Sequence, residues 1–553
     1  MNPSQPATRD AARRTTRFGL PVIRQFATLS PGRRAFIFAL GICAIYGIVA
    51  CLVRTGVGYD TQVGLRVADS MRAGAPFNVL VYPDPADIAR NTSGFLTVWS
   101  PGQYVFVYLL EQVGLSLGLS ISVVVSIAGF LALSGWHRLY RAFGFSRELS
   151  GLTTLIVACS QWFALPYGLF GTGDLLLVAC APWLVIALIG IDTSRARAVP
   201  IVAGLLAIAA MVKLTGIVFM VAALAADLAR RLDAGTARPV RAFILPAGGA
   251  TVFLLLFRML WTHRGATAVT PSQMLSVSEV VENLPHVVMH LVTSSVSLTA
   301  LLDRLLLFPG HALANSGTVD FLIASLLAIP LTLLSCLALL QTARTNRQFA
   351  VFTGVLVLAY GAMLASTFGL GGAVSIEERH CLTASILLLP AFVLTAARVR
   401  PSVARCGLSL VALSFCLYGT GSFAARLLQN LHRPVGARGF RLTGTAGGAA
   451  TFVHARLADA RRRGLEPLMY STEPEVYLEY FGEARLLANH GDLDPADYGR
   501  RFVYRGRTGR IIIMVPRRLV ATGRADAMKA EFVDYDRNGW RTVTIGETVI
   551  FEQ

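Results

Sequence analysis

The sequence predicts a polytopic α-helical membrane protein with about eleven transmembrane helices, followed by a small C-terminal α/β domain. Three observations predict it. Of the 553 residues, 54% are hydrophobic and 15% charged, whereas a water-soluble globule carries about 25% charged residues. Apolar stretches long enough to cross a bilayer alternate with short arginine clusters. After Arg426 the long apolar runs stop and short amphipathic segments take over.

A crossing needs about 20 apolar residues. Segments of that kind are 35–53, 119–136, 152–169, 175–191, 242–261, 321–341, 349–368, 381–397 and 406–423, with a helical hairpin over 201–225. The hairpin is inferred from charge: Arg195 and Arg197 precede it and Arg230 and Arg231 follow it, so both ends belong on one side, with the turn near Lys213, Thr215 and Gly216. The stretch 101–118 is read as a helix lying at the outer interface with Glu111 on its polar side, because a crossing there would place His137, Arg138, Arg141 and Arg147 on the wrong side.

With these assignments the cytoplasmic segments are the N-terminal tail, 136–149, 192–200, 228–241, 342–348 and 398–405. Each holds at least two arginines. The N-terminal 34 residues, with seven arginines, read as a cytoplasmic tail on an uncleaved anchor. Residues 35–428 form the transmembrane domain with outward loops 56–118 and 262–320, and 429–553 an extracytoplasmic α/β domain. The expected location is the plasma (inner) membrane.

The formal net charge of +18 belongs to these orienting loops and argues against nucleic acid as a partner. All basic residues except Lys213 and Lys529 are arginine. The eight cysteines lie in or beside apolar spans, with no metal-ligand spacing and no disulfide framework. In the C-terminal region the pattern predicts a helix over 449–463, strands over 467–471 and 510–515, a helix over 473–481 and a hairpin over 541–551 turning at Gly546.

Charged residues at the expected outer face are the candidates for chemistry. Asp60 follows the first span directly in the run Gly58, Tyr59, Asp60, Thr61, Gln62, at the depth where a base would meet a lipid-borne group; it also suits the cap of a helix over 61–73. Asp174, in the turn after Gly171, Thr172 and Gly173, reads as a second carboxylate facing a cleft or as an N-cap. Lys213 lies in an apolar run, where an ammonium needs an aqueous cleft, an anion or a snorkelling path. Glu378, Arg379 and His380 precede the span at 381–397, and a guanidinium fork with an imidazole beside it suits a phosphate. Arg66 is a further candidate for sugar or phosphate contacts. Asp84 and Asp87, among prolines, read as turn formers or as an acceptor or divalent-cation site; no ligand spacing demands a metal.

The order of these features resembles the GT-C glycosyltransferases. A carboxylate after the first span, Ser100-Pro101-Gly102 before Gln103 and Tyr104, a Lys-Leu-Thr-Gly turn at Lys213, a Glu-Arg-His entry at Glu378 to His380 and a terminal α/β domain carry the resemblance. It is most similar to the protein O-mannosyltransferase and aminoarabinose-transferase type. It implies an enzyme that moves a sugar from a polyprenyl-phosphate donor to a lipid, glycan or protein acceptor outside the cytoplasm, usually with inversion. Asp60 matches the position of the family's catalytic carboxylate, and Arg379 with His380 the segment near the donor phosphate; Lys213 would join them. Glu378, Asp174 and Arg66 would contact sugar or phosphate. The chain departs from the family pattern in having Tyr59-Asp60-Thr61 where many members pair two acidic residues. The competing readings are a transporter or flippase of a lipid-linked sugar, which needs polar groups near the bilayer midplane, and a non-catalytic membrane assembly protein.

Overall fold

The computed structural model describes residues 29–84, 87–97, 99–171, 173–193, 195–235, 239–265, 277–298, 300–301, 318–369, 377–399, 402–473, 475–488, 509–530, 532 and 539–553. Seven of the described helices are long and apolar enough to cross a membrane, or eight if one bent pair forms a single span. In chain order these and their neighbours are α1 (Pro31–Val53), α2 (Tyr59–Arg72), α3 (Gly102–Gln112), α4 (Leu117–Ala142), α5 (Arg147–Ala158), α6 (Gln161–Ala164), α7 (Asp174–Ile189), α8 (Ala198–Val212), α9 (Thr215–Asp233), α10 (Pro239–Leu260), α11 (Val277–Thr293), α12 (Thr318–Ala343), α13 (Arg347–Gly369), α14 (Glu378–Arg398) and α15 (Ser402–His432).

The expected count of about eleven crossings is thus not confirmed among the described residues, for physical reasons that differ by segment. Helices α7 and α8 have 16 and 15 residues, so at 1.5 Å per residue each is about 22 to 24 Å long, under the length that marks a full crossing of a core about 30 Å thick, although both run between the two ends of the bundle. Helix α9 carries Asp227, Arg230 and Arg231 near its end. The segment read as one span over 152–169 breaks after α5 and bends by 64°. Ser160 makes the break, its hydroxyl accepting from the Phe163 amide to start α6. The hairpin at Lys213 is present: α8 ends at Val212 and α9 begins at Thr215.

Two loop expectations also change. The stretch 262–320 contains α11, which packs among the membrane helices: Ser385 of α14 donates to the Val292 carbonyl at 3.1 Å. Glu111 of α3 is not on a polar outer side, because its side chain is 5% exposed and pairs with Arg438. Outward-facing leucines and isoleucines on α1, α12 and α15, such as Ile45, Leu334 and Leu417, form the surface a bilayer would cover.

The arginine-rich segments meet at one end of the bundle. Arg347 pairs with Asp233 at 2.5 Å, Asn346 donates to the Phe143 carbonyl at 2.5 Å, Arg398 to the Gln341 carbonyl at 3.1 Å and Arg231 to the Ile191 carbonyl at 2.8 Å. The opposite end gathers β1 (Gly56–Val57), α2, the hairpin β2 (Val79–Asp84) and β3 (Asp87–Phe95), β4 (Leu169–Phe170) and the start of α14.

The C-terminal unit is a five-stranded mixed sheet in the order β6-β5-β7-β9-β8, where β5 is Glu466–Ser471, β6 Arg485–Ala488, β7 Gly509–Pro516, β8 Arg541–Ile545 and β9 Thr548–Glu552. Strand alternation explains its two faces. Ile511, Ile513 and Val515 pack with Val549 and Phe551 on one side; Ile512 and Met514 pack on the other against Val453 and Leu457 of α16 (Gly447–Arg462). The hairpin turns at Gly546, whose φ of 60° suits a residue without a Cβ. The expected helix over 473–481 shrinks to α17 (Val476–Glu479).

Candidate active site

At the end of the bundle opposite the arginine clusters lies a cavity of about 360 Å³, lined by Asp60, Asp174 and Arg379 among apolar residues that include Leu165, Leu169, Leu175 and Leu382. Its floor is set by a short parallel pairing of β1 with β4, Gly56 with Leu169 and Val57 with Phe170. This pairing delivers the chain into α2 with Gly58 as N-cap. Asp60 sits in the first turn and caps nothing with its side chain, so the capping expectation gives way to a carboxylate turned into the cavity.

Arg379 Nη2 donates to Asp60 Oδ2 at 2.9 Å and to Glu377 Oε1 at 3.1 Å. The guanidinium is 18% exposed and the Asp60 side chain 22%, so the pair is shielded yet reachable. Asp174 is the first residue of α7, after the cap Gly173, where a carboxylate is favoured by the helix dipole. It is ion-paired to Lys213, and Lys213 Nζ lies 3.3 Å from His380 Nδ1. An ammonium only donates, so Nδ1 accepts and the ring proton sits on Nε2. The extended backbone of Lys213 between α8 and α9 gives its ammonium a partner inside the bundle.

The predicted residues therefore divide into three groups. Asp60, Asp174 and Arg379 line one cavity. Lys213 and His380 stand behind Asp174, buried at 7% and 9% exposure, and do not face the cavity. Glu378 is buried and accepts from Trp162 Nε1 at 3.0 Å, so it anchors a ring that lines the cavity. The sequence concealed Trp162 inside an apolar run, and only the break at Ser160 turns it to the site.

Three other candidates lie apart from the cavity. Arg66 is 3% exposed and stacks over the Tyr477 ring of the C-terminal unit, 5.3 Å from its centroid. Asp84 and Asp87 are backbone register partners on β2 and β3. Among the described residues, no group of three or more His, Cys, Asp or Glu side chains could hold a metal ion.

Compared with solved structures, the chain matches ArnT from Cupriavidus metallidurans bound to undecaprenyl phosphate with a TM-score of 0.50 at 12% identity, over 93% of this chain and 97% of that one. The chain has the GT-C fold. The GT-C expectation from the sequence motifs thus meets a structural match that spans the helical bundle and the C-terminal unit alike. The apo state of the same ArnT matches at 0.48 with 13% identity, over 93% of this chain and 97% of that one. The archaeal oligosaccharyltransferase AglB from Archaeoglobus fulgidus, in complex with an inhibitory peptide and a dolichol-phosphate, matches at 0.49 with 13% identity, over 93% of this chain and 74% of that one. No protein-family profile and no curated protein sequence matches the chain.

Proposed function

We propose that this GT-C chain is a membrane glycosyltransferase that moves a sugar from a polyprenyl-phosphate donor to an acceptor hydroxyl, with inversion at the anomeric carbon. The observation that carries the reading is the contact of Asp60 with Arg379 inside one cavity. A base for the acceptor hydroxyl and a cation for the departing phosphate are the two groups such a displacement needs, and inversion sets them on opposite faces of the anomeric carbon, so the donor enters by opening this pair.

Asp60 takes the proton of the acceptor hydroxyl as its oxygen bonds to C1 of the sugar. The bond from C1 to the phosphate oxygen breaks, and its electron pair leaves with the polyprenyl phosphate. Arg379 meets the charge that develops there, exchanging its carboxylate partners for phosphate oxygens. Lys213, backed by His380, neutralises Asp174, so that the wall bearing Asp174 does not repel an incoming anion. The leucines lining the cavity suit the first units of the polyprenyl chain, and Trp162 offers an aromatic face to the sugar. The fold match with ArnT bound to undecaprenyl phosphate supports this donor class.

In this reading the arginine-rich end faces the cytoplasm, as the positive-inside rule favours, and the cavity and the C-terminal unit face outward. Acceptors are a lipid, a glycan or a protein of that compartment. The test is to incubate the purified chain in lipid nanodiscs with a panel of labelled polyprenyl-phosphate sugars and extracted envelope material. Label should move to the acceptor fraction with inverted linkage, and Asp60→Asn should lower the rate by about 10² to 10⁴-fold. Failure of every donor, or full activity in Asp60→Asn, rejects the reading.

A further inference from the structure

The segment that carries Asp60 is gripped at both ends by one stretch of chain, the linker between α15 and α16. Near its start, Arg441 Nε donates to the Val53 carbonyl at 2.6 Å, and the Arg441 amide donates to the Thr55 carbonyl at 3.2 Å. At its far end, Arg438 takes both oxygens of Asp69, with Nη1 at 2.6 Å and Nη2 at 2.8 Å. Arg438 Nη2 also reaches Glu111 Oε1 of α3 at 3.0 Å. Asp69 is 0% exposed, so this is a buried, forked ion pair rather than a surface contact.

The linker is in turn held by the C-terminal unit. The Ala437 amide donates to Glu479 Oε1 at 2.5 Å, and Arg438 Nη1 to the Leu478 carbonyl at 3.0 Å. The amides of Thr443 and Gly444 donate to the two oxygens of Glu475 at 2.7 and 2.8 Å. Gly439, at φ 82°, folds the linker against Gly118 so closely that a Cβ on Gly118 would stand 1.8 Å from the Gly439 carbonyl oxygen. A helix transmits displacement as a rod, and Asp60 and Asp69 are nine residues apart on α2, about 13 Å along its axis.

We infer that Arg438 is a positioning residue: through it, the C-terminal unit sets the depth and rotation of α2 and so the placement of Asp60. This rests on the reading of Asp60 as the base. The Arg438 side chain touches neither Asp60 nor Arg379; it acts on the reacting groups only through α2.

The test uses the full chain in nanodiscs. Arg438→Met should lower kcat by about 10²-fold, the cost of displacing a catalytic group by about 1 Å, while affinity for undecaprenyl phosphate stays within about twofold of wild type. Arg438→Lys keeps the charge but loses the fork and should fall between the two; it also serves as the readable variant should Arg438→Met not fold. Arg518→Gln, at a largely exposed side chain that pairs with Glu473, should change neither quantity. Unchanged kcat in both Arg438 variants, or a fall in kcat matched by an equal loss of undecaprenyl phosphate binding, overturns the inference. Hydrogen exchange of the amides at 57–66 gives a reading that needs no turnover: it should quicken in the Arg438 variants, and unaltered exchange also overturns the inference. Quickened exchange in a chain whose wild type transfers no sugar would keep the brace and reject the enzymatic reading alone.

Discussion

Asp60 and Arg379 stand 319 positions apart in the chain and meet through a 2.9 Å ion pair. The contact joins the N-terminus of α2 to the N-terminus of α14 across the mouth of one cavity. In the proposed reaction it is also the contact that the donor must rearrange, because the phosphate and Asp60 both want the same guanidinium. Arg379→Lys keeps one charge but cannot fork between Asp60, Glu377 and a phosphate. It should raise the donor KM by roughly tenfold, about 1.4 kcal/mol, measured with a polyprenyl-phosphate sugar at saturating acceptor.

Lys213 and Asp174 form a buried pair whose side chains are 9% and 12% exposed. Removing one partner leaves a buried charge without its counter-ion, at a cost of about 3 to 5 kcal/mol. Lys213→Met should therefore lower the thermal stability of the detergent-solubilised protein, and Lys213→Met combined with Asp174→Asn should recover much of it. A double variant no better than the single one would mean that the pair is not what stabilises the junction of α7, α8 and α14.

Trp162 lines the cavity while its indole nitrogen is tied to Glu378. Trp162→Ala should weaken donor sugar binding by about 1 kcal/mol, the size of an aromatic contact, and Trp162→Phe should restore most of it. Equal KM values for all three proteins, measured by donor titration, would remove the ring from the sugar site.

His454 in the C-terminal unit lies 3.2 Å from Glu479 and 3.0 Å from Glu483. Its hydrogen bonds to these carboxylates, Glu479 foremost, lift its pKa to about 9. A raised histidine pKa stabilises the folded state fully below the unfolded value of about 6.5 and loses that contribution as pH climbs through the folded value. His454→Gln should thus lower the melting temperature below about pH 6.5 and converge on wild type above about pH 9. A difference that persists unchanged at high pH would show that packing, and not charge, is what the residue contributes.

The bundle was largely legible because its signals are local. Hydropathy marked most of the helices, charge placed the break at Lys213, and alternation placed β5, β7 and the hairpin at Gly546. Hydropathy marked α7 and α8 but not their length, because burial within a bundle rewards apolar residues in helices of 16 and 15 residues as well as in longer ones. It hid α11 in an expected loop for the converse reason, since Val277–Thr293 is amphipathic and interrupted by Pro285. At the site, Asp60, Asp174 and Arg379 were legible because a carboxylate or guanidinium at the edge of a span demands a reason. Lys213 and His380 were found as charges but not as the inner partners of Asp174. Asp69 and Arg438 escaped notice, and Glu111 read as a polar-side residue, because their meaning lies in contacts 369 and 327 positions long, which no periodicity encodes. Trp162 escaped because an aromatic residue in an apolar run reads as core.

The central claim is that Asp60 is the base and Arg379 holds the donor phosphate. The most direct measurement is single-turnover transfer by Asp60→Asn in nanodiscs preloaded with a labelled polyprenyl-phosphate sugar, with undecaprenyl phosphate binding measured on the same sample. The account predicts wild-type binding and a transfer rate lower by about 10² to 10⁴-fold. Transfer at the wild-type rate would contradict it.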